Sequence, residues 1–122
     1  LGYLAGLDGD RSWMIEHTSK VRARRQLCLD RISKIEGIEV EAPGGAFYMF
    51  VKLTDEKWAQ DDKNFALDLL HKEHVLVVHG SGFSAQLGKG HSRIVYLPNI
   101  GILNEAFDRI DRFLQDNRGF IK

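Results

Sequence analysis

Arg93 stands in the run Ser92-Arg93-Ile94-Val95-Tyr96-Leu97, whose other members are mostly apolar. Alternation along a strand places Arg93, Val95 and Leu97 on one face. A guanidinium on such a face must meet an anion, because a buried unpaired charge is very costly. Its planar fork suits a carboxylate gripped by two hydrogen bonds. On these residues alone three arrangements stay open: a ligand carboxylate, an ion pair with one of the chain's own acids, or a strand end open to water.

A glycine-rich stretch lies just before that strand. Gly80-Ser81-Gly82-Phe83-Ser84-Ala85 fits the spacing G-x-G-x-x-A and follows an expected strand. A dinucleotide site, however, needs a helix opening at the second glycine to turn its N-terminus toward a pyrophosphate. Here Gln86-Leu87-Gly88-Lys89-Gly90 continues as loop. The Walker spacing fails too, because Lys89 precedes Gly90 rather than Ser or Thr. His71 and His74 sit three apart on an expected helix, with His79 and His91 bracketing the loop. A metal would need a third ligand brought in by the tertiary fold. Histidines at a helix end equally well favour the negative end of its dipole, so no metal site is assigned.

The elements that must position these residues follow from periodicity. Residues 1 to 9 read as the last turns of a helix ending near Gly9. Asp10 is the expected N-cap of a long second helix to about Glu36, with Met14, Val21, Cys28, Ile32 and Ile35 on one narrow apolar stripe. Its face from Lys20 to Arg25 is expected to be solvated, and Gly37-Ile38 to stop the helix. After a short strand at Ile38 to Val40, Pro43-Gly44-Gly45 signals a turn. Ala46 to Val51 then reads as a strand buried on both faces. Residues 54 to 62 read as loop, and Asp61 or Asp62 caps a helix from Lys63 to about His74. Val75 to Val78 and Ser92 to Leu97 are the remaining strands. The last helix is the clearest: Leu103, Ala106, Phe107, Ile110, Phe113 and Leu114 form one face, Asn99 caps its start and Gly119 its end. Glu105 with Arg109, and Asp108 with Arg112, have the favourable i, i+4 spacing on the wet side. The expected class is α/β: one domain over 1–122 with a small mixed, largely antiparallel sheet covered by helices.

The whole-chain balance narrows the function classes. The 122 residues are 43% hydrophobic and 28% charged, with 17 Lys and Arg against 17 Asp and Glu. A net charge of zero gives no support to a polyanion-binding surface, so no nucleic-acid partner is expected. No run approaches the ~18 apolar residues of a membrane span. The single cysteine, Cys28, can neither pair internally nor build a zinc site alone, and the expected compartment is the cytoplasm. A start at Leu1 within an apolar helical pattern suggests a piece of something larger.

Three segments in order, with the closing helix, carry a resemblance. They are Pro43-Gly44-Gly45-Ala46-Phe47-Tyr48-Met49-Phe50, Val77-Val78-His79-Gly80-Ser81-Gly82-Phe83 and His91-Ser92-Arg93-Ile94-Val95-Tyr96-Leu97-Pro98. Together they resemble the C-terminal small domain of class I/II aminotransferases, the fold-type I enzymes that use pyridoxal 5'-phosphate. Arg24-Arg25 looks like the family's basic pair in its long helix, and Glu105 to Ile110 like its ending. Each motif alone is loose; their register over nearly the whole chain is specific.

The resemblance implies that Arg93 clamps the α-carboxylate of an amino-acid or 2-oxo-acid substrate, and that Phe83, Phe47 and Gly45 lie near the substrate. It implies a homodimeric parent whose large domain, upstream, carries the cofactor-binding lysine, the aspartate facing the pyridine nitrogen and most phosphate ligands. Lys20 is not that lysine, and this chain alone is expected to be inactive. His79 stands where the family commonly has proline. Another reaction on the same scaffold, a β-lyase or a synthase, needs the same clamp, and a stand-alone amino-acid-binding module is the alternative without chemistry.

Overall fold

A computed structural model describes residues 1–119, so the last three residues of the expected 1–122 domain lie outside the described ones. The helices are α1 (Gly2–Asp8), α2 (Ser12–Ile32), α3 (Glu56–Gln60), α4 (Asp62–Glu73) and α5 (Ile100–Asp116). The strands are β1 (Ile38–Val40), β2 (Tyr48–Leu53), β3 (Val78–His79) and β4 (His91–Val95), ordered β1-β2-β4-β3 with every pairing antiparallel. The α/β class with helices over a small antiparallel sheet is thus the observed architecture.

One face of this sheet carries the core. Met49, Val51 and Leu53 alternate inward along β2, and Tyr96 is fully enclosed just beyond β4. Against them pack Leu103, Phe107, Ile110, Phe113 and Leu114 of α5, spaced as the apolar pattern predicts. Phe65 and Leu69 of α4 and Cys28 and Ile32 of α2 complete the layer. Trp58, Phe65 and Phe113 stack with ring centroids 5.5–5.7 Å apart. Asn99 Oδ1 accepts from the Ile102 amide at 2.9 Å, the expected cap. Asp61 caps α4, accepting from the Asn64 amide at 3.2 Å.

Several expectations are corrected. The strand expected over Ala46 to Val51 runs Tyr48–Leu53 and is buried on one face only, because the helices occupy one side of the sheet. The Val75 to Val78 strand shrinks to two residues at a sheet edge, with Leu76 turned outward. The last strand stops at Val95 rather than Leu97. Residues 56–60 form a short helix, capped by Asp55, where a loop was expected. The second helix starts after Asp10, which instead accepts from the Ser12 amide and hydroxyl. It ends at Ile32, and the chain unwinds through single turns to Gly37, at φ 104°. The final helix ends at Asp116 with Asn117, not Gly119, as its C-cap.

The Lys20 to Arg25 face is not simply solvated. Arg24 donates to the Leu97 carbonyl at 2.6 Å and Arg25 to the Pro43 carbonyl at 3.0 Å. These two bonds tie the long helix to the exit of β4 and to the start of the 43–47 turn. The Asp108–Arg112 pair gives way to tertiary partners: Arg112 binds Glu73 and Asp108 binds Arg31, whereas Glu105–Arg109 forms as expected. Met14 does not join the stripe; it is exposed, as are most apolar residues of α1 and the start of α2.

Candidate functional site

Among the described residues no helix packs on the other face of the sheet. Register sets its members: Tyr48 lies opposite Val95, Phe50 opposite Arg93, and Lys52 opposite His91. Arg93 therefore points away from the core, while its neighbour Ser92 is buried. The guanidinium lies against two rings, its carbon 4.6 Å from the centroid of Phe83 and 5.4 Å from that of Tyr48. Phe50 joins edge-on to Phe83 at 5.5 Å. Contacts of this kind attract a cation by about 0.5–2 kcal/mol each and fix the plane of the fork. They supply no acceptor.

Arg93 Nε is buried without a hydrogen-bond partner. Among the described residues no acidic side chain forms an ion pair with Arg93. Of the arrangements open from sequence, the internal ion pair is absent among the described residues. A planar, forked donor of this kind has the geometry to bind a carboxylate through two hydrogen bonds.

Two elements bring the rings there. The first is the 80–90 loop, which opens with a 3-10 turn at Gly80–Gly82. A Cβ on Gly80 would come within 2.2 Å of the Gly88 carbonyl, and one on Gly88 within 1.9 Å of the Gly80 carbonyl. Backbone crosses backbone here, which only glycine permits. The loop closes on itself through Gly88 N–H to the Ser84 carbonyl and His91 N–H to the Gly88 carbonyl, so it offers no phosphate cradle. The second is the 43–47 turn. Tyr96 Oη donates to the Ala46 carbonyl at 2.9 Å, and Ala46 takes a left-handed φ of 64°.

The expected site residues are therefore distributed unevenly. Phe83 meets Arg93 directly. Phe47 packs edge-on to Tyr48 at 6.0 Å and borders a groove between the turn and α2, as does Gly45. Tyr48 and Phe50 were not singled out from sequence; counting in twos across the antiparallel pair from Arg93 would have found them. Asp62, read only as an alternative cap, is buried and accepts from the Ser81 amide at 2.8 Å. His79 Nδ1 faces Ser81 Oγ at 3.0 Å and Asp62 Oδ2 at 4.0 Å. The same nitrogen faces both, so this trio is no nucleophile relay, which needs opposite ring nitrogens. Burial pushes the Cys28 thiol up to about 11, leaving it inert at neutral pH. Among the described residues no three His, Cys, Asp or Glu are grouped to hold a metal, and no helix is long and apolar enough to cross a membrane.

Comparison with known proteins decides the family. The model of the aminotransferase class I and II family matches residues 3–110. This chain belongs to the class I and II aminotransferases. A glutamate-pyruvate aminotransferase of Haemophilus influenzae is 43% identical over 96 residues, covering 78% of this chain and 24% of that protein. An aspartate aminotransferase of Pyrococcus horikoshii is 30% identical over 117 residues, 94% of this chain and 29% of that protein. The solved alanine aminotransferase of Pyrococcus furiosus superposes with a TM-score of 0.87 at 45% identity, over 93% of this chain and 28% of that one. The chain thus spans 24–29% of the length of these relatives.

The aminotransferase family implies pyridoxal 5'-phosphate, and the described residues do not fit that group. A lysine that binds such a cofactor works from a desolvated site. Lys20, Lys52 and Lys72 are 50–61% exposed and paired with Glu16, Glu39 and Asp68. The loop that would have to cradle a phosphate is closed by its own glycines.

Proposed function

We propose that this chain is the C-terminal small domain of a pyridoxal-phosphate-dependent aminotransferase, in which Arg93 grips the α-carboxylate of the amino-acid and 2-oxo-acid substrates. The observation that carries this reading is the Arg93 guanidinium, set against Phe83 and Tyr48 on the sheet face that no described helix covers, with Nε unpartnered. The cofactor, when bound in the parent protein, supplies the electron sink for the amino group's transfer. Arg93 holds the substrate so that the bond to be broken at Cα keeps one orientation. Phe83 and Tyr48 hold the fork's plane; Phe47 and Gly45 border the site from the adjoining turn.

The cofactor-binding lysine and the large domain belong, in this reading, to the rest of the parent chain. Support comes from the share of each relative that this chain spans, 24–29%, and from the apolar side chains left exposed on α1 and the start of α2. Tyr3, Leu4, Trp13 and Ile15 are each more than half exposed, a surface suited to burial against a further domain. The parent is read as a cytoplasmic homodimer, and the isolated chain as inactive.

Replacing Arg93 with Leu in the parent enzyme tests the assignment. Losing two charge-assisted hydrogen bonds lowers kcat/KM by roughly a hundredfold or more, mainly through a raised amino-acid KM, without lowering the thermal midpoint. An unchanged KM for every amino-acid substrate refutes it.

A further inference from the structure

Asp62 is a buried acid that the carboxylate grip leaves unused. Its side chain is 4% exposed, and among the described residues no Lys or Arg pairs with it. Helix capping does not explain it, because Asp61 supplies the cap. Its Oδ2 instead accepts from the Ser81 amide at 2.8 Å, across nineteen residues of chain. Burial alone pushes the carboxyl upward, yet hydrogen bonds from Ser81, and from the amides of Asp62 and Gly90, hold it below its usual range. A carboxylate can only accept, so it orients the Ser81 N–H without ambiguity.

The turn held in this way has little other freedom. Gly80 is locked against Gly88, and a Cβ on Gly82 would lie 3.0 Å from the His79 ring. Phe83 leaves the turn directly and reaches Arg93 with its ring centroid 4.6 Å from the guanidinium carbon. Half of its surface remains exposed, so core packing does not place this ring. The turn places it.

We propose that Asp62 is a positioning residue for the carboxylate site: by anchoring Ser81 it fixes the turn that presents Phe83 to Arg93, and so sets the fork's plane. The inference rests on the reading of Arg93 given above. An acid serving stability alone moves the thermal midpoint and leaves substrate affinity untouched. A positioning acid raises the amino-acid KM while kcat stays near wild type.

In the parent enzyme, Asp62→Ala raises the amino-acid KM about tenfold, the scale of one buried hydrogen bond to a charged group. Asp62→Asn keeps an acceptor oxygen for Ser81 and recovers most of that loss. Phe83→Leu gives a similar rise, and adding Asp62→Ala to it raises KM no further, because both act through one ring. An unchanged KM in a merely less stable Asp62→Ala protein overturns the proposal, and so do effects that multiply in the double variant. If Asp62→Ala does not fold, Asp62→Ser, whose shorter side chain does not reach the Ser81 amide, takes its place in the cycle with Phe83→Leu. Arg93→Leu in the same assay separates the two readings. A raised KM there beside an unchanged one for Asp62→Ala leaves the grip and removes the positioning role. An unchanged KM for Arg93→Leu removes the grip and, with it, the proposal.

Discussion

The two faces of the sheet are built from the same strands and differ only in residue parity. Met49, Val51 and Leu53 are each 1% exposed beneath the helices, whereas Tyr48 and Phe50, one step away, are each 37% exposed. Both sets are apolar, so hydrophobicity alone does not say which one becomes core. The helices choose: α5 offers a continuous apolar face to one side, and among the described residues no helix covers the other. The inner face fills its volume with side chains that need no polar partner. On the outer face Tyr48 and Phe83 gather around Arg93. The inner face stabilises, and the outer face is the one we propose recognises a carboxylate.

This contrast can be broken from either side. The largest effect belongs to the inner face, where Phe113→Ala removes a fully buried ring touching Trp58 and Phe65. It costs about 3–5 kcal/mol of unfolding free energy, measured by denaturant titration. On the outer face, Arg93→Lys keeps the charge and loses the fork, lowering kcat/KM of the parent enzyme about tenfold while the thermal midpoint stays put. A fall in stability as large as that of Phe113→Ala would erase the distinction between the faces. Between these lies Tyr96→Phe, which removes only the bond to the Ala46 carbonyl. It costs about 1 kcal/mol and loosens the turn leading into Tyr48, so unfolding and substrate affinity both respond.

The smallest effect is electrostatic and lies away from both faces. Glu73 is held below its ordinary value of 4.5, first by its hydrogen bond from Arg112 and then by that charge and Arg109. Its folded-state value is depressed, so the stabilisation is present above about pH 4.5 and fades as pH falls through the folded value. Thermal midpoints of wild type and Glu73→Gln, measured from neutral pH into the acid range, should differ slightly at neutral pH and converge in acid. A gap that widens on acidification contradicts the assignment.

Which features were legible in the sequence follows from the range of the forces behind them. The face of α5 and its Asn99 cap are local, and both were readable. So was Arg93, because a lone cation among apolar residues is conspicuous wherever the strand goes. Arg24 and Arg25 were misread as a solvated face, because their acceptors are carbonyls 73 and 18 residues away. The same holds for Asp62: local signals could not choose between it and Asp61 as cap, and only the folded chain brings Ser81 to it. Tyr48 and Phe50 were not legible as neighbours of Arg93, because strand parity and register are set by pairing with β4 and not by the strand's own composition.

We propose that Arg93, which has no acidic partner among the described residues, receives a substrate carboxylate. A crystal structure of the parent enzyme with a bound, unreactive amino-acid analogue tests it most directly. The account predicts both oxygens of the analogue's α-carboxylate at about 2.7–2.9 Å from guanidinium nitrogens of Arg93, with Phe83 and Tyr48 still stacked on the fork. A carboxylate bound elsewhere, with Arg93 paired to an acidic side chain of the protein, would contradict it.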